Sequence, residues 1–161
     1  MNIATKQIQA PLLHRLTDHA PENSIDAESG RYVNFADLQT DIKQNLEQIL
    51  NARLSYFGVE RALSEIKQSV LNYGIPDFTR QYSHFKKHQK ELCQNIQDAI
   101  IYFEPRLQQV KVGLVDSQDK NSRILTIRIS GMLSIKPDSQ VTVFESSLDI
   151  VRYQFTFKDE S

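Results

Sequence analysis

From Phe35 onward the apolar residues fall three or four apart. Leu38, Ile42, Leu46, Ile49 and Leu50 share one face of a helix, and Asn34 stands just ahead as an N-cap whose side-chain oxygen can accept from a free first-turn amide. A second helix is marked by Val59, Leu63, Ile66 and Val70, with Gly74 after it as a left-handed cap and Pro76 just beyond. The third runs from about Gln81 to Phe103, with Phe85, Leu92, Ile96, Ile100 and Phe103 on its apolar face, and Pro105 forbids its continuation.

After Pro105 the period falls from about 3.6 to 2. Val110, Val112 and Leu114 alternate with polar residues, and "DSQDKNS" reads as a loop. Leu125, Ile127 and Ile129 alternate next, "KPDS" reads as a turn, Val141 and Val143 continue the alternation, and "YQFTF" is a last β-rich run. About three helices followed by an antiparallel meander of about four strands predict an α+β domain, with the helices packed on one face of the sheet. Residues Met1 to Arg31 are polar and broken by Pro11, Pro21 and Gly30, except for "PLLHRLTD", where Leu12, Leu13 and Leu16 form a short helical stripe. The expected organisation is an N-terminal arm over 1–33, a domain over 34–158 and a tail over 159–161.

Composition adds exclusions. A hydrophobic fraction of 40% supplies a real core, and 19 basic against 20 acidic residues argue against an electrostatically driven nucleic-acid binder. No apolar run approaches the roughly 18 residues a membrane span needs. The opening "MNIATKQIQAPLLHRL" lacks the basic start and continuous apolar stretch of a secretory signal. Cys93 is the single cysteine, so no intramolecular disulfide can form and a reducing cytoplasm is the expected location.

Candidate chemistry is sparse. His84 and His88 are one helical turn apart with Cys93 nearby, but Lys86, Lys87 and Lys90 would repel a divalent cation, and Phe85 stands where a zinc-protease helix needs a glutamate. The lysine-rich face reads as solvated. The five glycines are scattered and form no phosphate loop, so neither cofactor nor metal is expected. A glycosidase would need Glu104 as acid and Asp116 or Asp149 as its partner, yet the chain has no carbohydrate-stacking tryptophan.

The stretch "IIYFEPRL" places Glu104 and Arg106 on either side of Pro105. In an extended segment, residues two apart point the same way, and proline stiffens the segment against entropy loss on docking. Two readings stand: a rigid platform offering a carboxylate and a guanidinium to a partner, or an internal cap with Arg106 on the helix-terminal carbonyls and Glu104 solvated. Arg53 has a similar choice between a neighbouring subunit and an internal salt bridge.

Three ordered segments, "DIKQNLEQILNAR", "SVLNYGIPDF" and "AIIYFEPRL", resemble the TssE family, the small baseplate subunits of type VI secretion systems. They are similar also to the baseplate wedge proteins of contractile-tailed phages, whose family carries a lysozyme-like label. "LLHRLTD" resembles the leucine-rich N-terminal element of TssE members, and the likeness extends from about Leu12 to Phe157. Ala52 and Ile75 depart from an expected threonine and leucine, and Tyr153 stands where relatives often turn on glycine. A tyrosine resists the positive φ of such turns, which bears on the pairing of the last strand.

The resemblance implies a structural role rather than catalysis. Glu104, Pro105 and Arg106 would lock the subunit to the wedge core, and charge reversal at either ionic residue would abolish assembly in a folded domain. Leu12, Leu13 and Leu16 would bury themselves on another wedge subunit. Implied partners are the wedge subunits TssF, TssG and TssK and the sheath proteins TssB and TssC, joined to an isolated chain that is a monomer. The β half would template the first sheath ring by accepting strands at an open edge. The alternatives are a peptidoglycan hydrolase and the equivalent wedge protein of a contractile phage.

Overall fold

Asn34 caps the first long helix, as its position predicts. Its Oδ1 accepts from the Asp37 amide at 2.8 Å, and Asp37 reaches back to the Asn34 amide at 3.4 Å, a reciprocal arrangement that satisfies two donors at a helix start. In this computed structural model the described residues are 8–17, 21–22, 32–54, 65, 69–76, 85–115, 123–134 and 139–157. They form β1 (Ile8–Gln9), α1 (Leu12–Leu16), β2 (Tyr32–Val33), α2 (Phe35–Asn51), a 3₁₀ turn (Val70–Asn72), α3 (Phe85–Phe103), β3 (Leu107–Val115), β4 (Ile124–Ser134), β5 (Ser139–Asp149) and β6 (Gln154–Phe157).

The chain divides into two compact units, Met1–Ile42 and Lys43–Ser161. In the first, β1 and β2 pair antiparallel, Ile8 opposite Val33 and Gln9 opposite Tyr32. Between them α1 is closed by the Thr17 hydroxyl and amide, both donating to the Leu13 carbonyl at 2.9 and 3.0 Å. Ala10 and Val33 are buried, while the three leucines of α1 are exposed.

The second unit is an antiparallel meander, β3-β4-β5-β6, with the helical stripes on its inner face. Leu46, Ile49 and Leu50 from α2 and Leu92, Ile96 and Ile100 from α3 are buried, as their spacing predicts. Of the expected second helix, Val59, Leu63 and Ile66 lie outside the described residues. Val70 lies in the 3₁₀ turn and is exposed, so it does not extend a buried stripe. The "DSQDKNS" loop lies outside the described residues, as do all but the serine of "KPDS" and Phe85's side chain.

Alternation holds along β5, but Val141 and Val143 lie on the outer face, 75% and 40% exposed. The register explains this. Phe144 pairs opposite Ile129 and Leu148 opposite Leu125, so the even-numbered residues of β5 share the face of the core. Two valines in a two-sided strand carry no label for inside or outside; the cross-strand partner assigns it.

β3 contains a bulge that resets its phase. Leu107 lies opposite Leu133 and Val112 opposite Ile129, with the register shift falling between Gln108 and Lys111. Gln109 takes a positive φ of 52° there, so Leu107 and Val110, three apart, are both buried. Gly131 makes the room. A Cβ on it would lie 2.7 Å from Leu107 Cγ and 3.1 Å from the Gln108 carbonyl oxygen. Gly131→Ala is therefore expected to lower stability by about 1–2 kcal/mol through overpacking, measured by urea denaturation. The loss should shrink when Leu107→Ala is present; equal losses in both backgrounds would contradict the contact.

Tyr153 does adopt the left-handed conformation, φ 53°, and β6 pairs with β5 nonetheless, from Asp149–Gln154 to Ser146–Phe157. Holding a non-glycine residue there costs about 1–2 kcal/mol. Offsetting contacts are present. The Tyr153 ring is buried and edge-on to Phe155 at 6.3 Å, and its hydroxyl donates to the Pro76 carbonyl at 2.8 Å. Asp149 braces the turn by accepting from the Val151 and Arg152 amides at 2.9 and 3.1 Å. The hydrogen bond donated by the Arg152 amide, more than any other contact, holds the Asp149 carboxyl below the ordinary carboxylate range.

Candidate functional site

The helix–strand corner begins as α3 ends. The Glu104 amide donates to the Ile100 carbonyl at 2.8 Å, closing the last helical turn, and the Leu107 amide donates to the Glu104 carbonyl at 3.1 Å. That second bond makes a turn with Pro105 at its second position, where proline's fixed φ belongs. The Arg106 carbonyl then accepts from the Ser134 amide at 3.0 Å, which starts the sheet.

Glu104 is 1% exposed. One carboxylate oxygen accepts from Arg106 Nε at 2.6 Å; the other accepts from Arg106 Nη2 and from Asn45 Nδ2, both at 2.7 Å. The guanidinium and carboxylate therefore meet in a two-pronged pair, the strongest geometry available to these groups. Arg106 keeps 31% of its side chain exposed, and Pro105 beside it is exposed. Tyr73 packs edge-on against Phe103 at 5.1 Å. Its phenol is pushed above the usual range by burial first and by the nearby Glu104 charge second.

This arrangement changes the place of Glu104 in both readings of the corner. Glu104 is not solvated, because the acid and base beside Pro105 bind each other. Nor does the isolated chain present a free carboxylate to a partner, since Glu104 is buried with three donors on it. As a general acid Glu104 has the same difficulty. Asp149, its nominated catalytic partner, is occupied by the β5–β6 turn, and Asp116 lies outside the described residues.

Leu12, Leu13 and Leu16 are 64%, 76% and 72% exposed, and they belong to the first compact unit, whereas the corner belongs to the second. Arg53 makes an internal contact of a kind that was not expected: its guanidinium lies 5.9 Å from the centroid of the Tyr153 ring. Cys93 is half-buried, and burial raises its thiol above its ordinary pKa, the opposite of an activated nucleophile. Among the described residues no three His, Cys, Asp or Glu side chains gather as a metal site; His84 and the side chain of His88 lie outside them. No helix among the described residues is long and apolar enough to cross a membrane.

Two residues of the site have no signal in the sequence. Asn45 completes the Glu104 shell from α2. Asn51, the last residue of α2, donates to the Phe155 carbonyl at 3.0 Å and accepts from the Phe155 amide at 2.9 Å. Each sits on the polar side of an amphipathic pattern, where a partner 59 or 104 residues away leaves no local trace.

A family model described as baseplate wedge protein gp25 matches residues 36–138, more than half of the chain. No curated protein sequence matches it. Among solved structures, a chain from "The baseplate complex from the type VI secretion system" superposes with a TM-score of 0.50 at 16% identity. The alignment covers 78% of this chain and 97% of that one, a likeness of fold.

Proposed function

We propose, from the premise that this chain belongs to the gp25 baseplate wedge protein family, that it is a non-enzymatic structural subunit of a type VI secretion baseplate. The observation that carries the reading is the family match, which spans both long helices, the corner and the start of the sheet. The secretion setting draws support from the shared fold and from the leucine-rich element. In that role the chain works in the cytoplasm, with 1–33 as an arm and 34–158 as the wedge domain. It joins wedge-core subunits of the TssF, TssG and TssK kind and offers a sheet edge to the first ring of TssB and TssC sheath.

Each contact follows from its surroundings. Leu12, Leu13 and Leu16 are exposed apolar side chains on a short helix, so a partner surface gains by burying them. At the corner, Arg106 and Pro105 are the groups a partner can reach, and Glu104 positions the guanidinium from behind. The sheet offers β3, whose outer edge meets no strand among the described residues.

The test is affinity capture of the tagged full chain from its host, with co-purifying subunits identified. Wedge and sheath proteins are expected. Capture without them would overturn the reading, and turnover of cell-wall substrate by the purified protein would favour the hydrolase. In the Leu12→Ser, Leu13→Ser, Leu16→Ser triple variant, the circular dichroism of the free chain should be unchanged because these side chains are already exposed. Wedge capture should weaken by about a hundredfold, the equivalent of losing one or two buried leucines. Undiminished capture would remove α1 from the interface.

A further inference from the structure

A meander of four strands has two outer edges, and in this chain they are unlike. In an antiparallel ladder a residue's amide and carbonyl point to the same side. Both of these groups on Phe155 are taken by Asn51, so they face away from β5, toward the place a fifth strand would occupy. A carboxamide carries the same donor and acceptor as a peptide unit, so Asn51 imitates one residue of a neighbouring strand.

The chain that follows thickens the cover. Arg53 lies against the Tyr153 ring, and Tyr153 is tied to Pro76. The Ile75 amide donates to the Ala52 carbonyl at 3.0 Å and the Leu54 amide to the Ile75 carbonyl at 3.1 Å, forming a parallel bridge at Arg53 and Ile75. Because β6 has only 4 residues, occupying Phe155 leaves Phe157 as its one residue with outward-facing groups. One residue cannot hold a ladder. β3, with 9 residues, meets no second strand among the described residues.

We propose that Asn51 seals the outer edge of β6, so that the sheet accepts an extended segment of a neighbouring subunit along β3 alone and copies of this chain do not pair through β6. The seal gives the sheet a direction: an incoming strand has one place to add. The acceptance of a strand at β3 rests on the proposed function, whereas the seal is read on the isolated chain.

The experiment uses the purified full chain. Amide hydrogen exchange followed by nuclear magnetic resonance should find the Phe155 amide protected in the wild type although it lies on an outer edge. In Asn51→Ala it should exchange at least about tenfold faster, and sedimentation velocity should show concentration-dependent self-association where the wild type stays monomeric. Adding Thr156→Lys, an exposed position on the same strand, should restore the monomer, because an edge lysine opposes strand pairing. If Asn51→Ala does not fold, Asn51→Ser is too short to reach both groups and is read in the same way. A Phe155 amide that exchanges at the free-peptide rate in the wild type overturns the proposal, and so does a folded Asn51 variant that stays monomeric at every concentration. Those results leave partner capture by the wild type untouched, and lost capture leaves them untouched in turn.

Discussion

Glu104→Ala should destabilise the second unit by about 3–5 kcal/mol, the range for removing one partner of a buried ion pair. The carboxylate is 1% exposed and receives three hydrogen bonds from Arg106 and Asn45. Without it, the Arg106 charge loses both prongs and Asn45 loses its acceptor. Because 31% of the Arg106 side chain still reaches solvent, water can recover part of the loss, which places the expected value toward the lower end. Urea denaturation of the purified chain measures it. A second variant separates the pair from mere volume. Replacing both members together, Glu104→Leu with Arg106→Met, removes charge and counter-charge at once and should cost less than Glu104→Ala alone. A double variant worse than the single one would mean that the pair adds net stability. A Glu104→Ala loss below about 1 kcal/mol would mean that the carboxylate is not desolvated.

The burial of Glu104 also decides how the corner's role in assembly is tested. Reversing the charge at Glu104 would place a cation in a buried site facing a guanidinium, so lost assembly in that variant would report unfolding. The exposed leucines of α1 avoid this confusion, because serine there leaves the folded chain's contacts in place. Glu104 therefore belongs first to stability. Its contribution to docking runs through the direction in which it holds Arg106.

How far the sequence can be read follows from where each signal lies. The buried faces of α2 and α3 were legible because a helix writes its environment every three or four residues, and Leu46, Ile49, Ile96 and Ile100 are all fully buried. The cap at Asn34 and the stop at Pro105 were legible for the same local reason. Illegible features depend on a distant partner. The inward face of β5 is decided by Ile129 and Leu125 across the ladder; Asn45 and Asn51 act on residues more than fifty positions away. Glu104 and Arg106 were visible as a pair of charges, but their burial was not, because an acid two residues from a base reads the same way whether water or protein surrounds them. Tyr153 reads as a misfit in its turn until Pro76 and Arg53 are brought beside it.

Gly74→Ala should cost about 3–4 kcal/mol, and two separable causes combine to give it. Gly74 has φ 104°, beyond the left-handed helical value that other residues occasionally adopt. Moving an alanine there costs about 1–2 kcal/mol. Its Cβ would also stand 2.3 Å from the Ala52 carbonyl oxygen and 2.7 Å from the Ala52 carbonyl carbon. Backbone cannot rotate away as a side-chain tip can, so the segments at Ala52 and Ile75 must part. Their hydrogen bonds, Ile75 amide to Ala52 carbonyl and Leu54 amide to Ile75 carbonyl, are each worth about 1 kcal/mol. Asparagine distinguishes the causes, since it tolerates positive φ better than alanine but carries the same Cβ. If close approach dominates, Gly74→Asn should fall within about 1 kcal/mol of Gly74→Ala in urea denaturation, the φ cost alone being of that order. Near-wild-type stability for the asparagine variant would assign the glycine to dihedral freedom and leave the contact with Ala52 unimportant. The close-approach outcome would also weaken the hold on Tyr153, because Pro76 follows two residues later, and the Phe155 amide should lose protection with it.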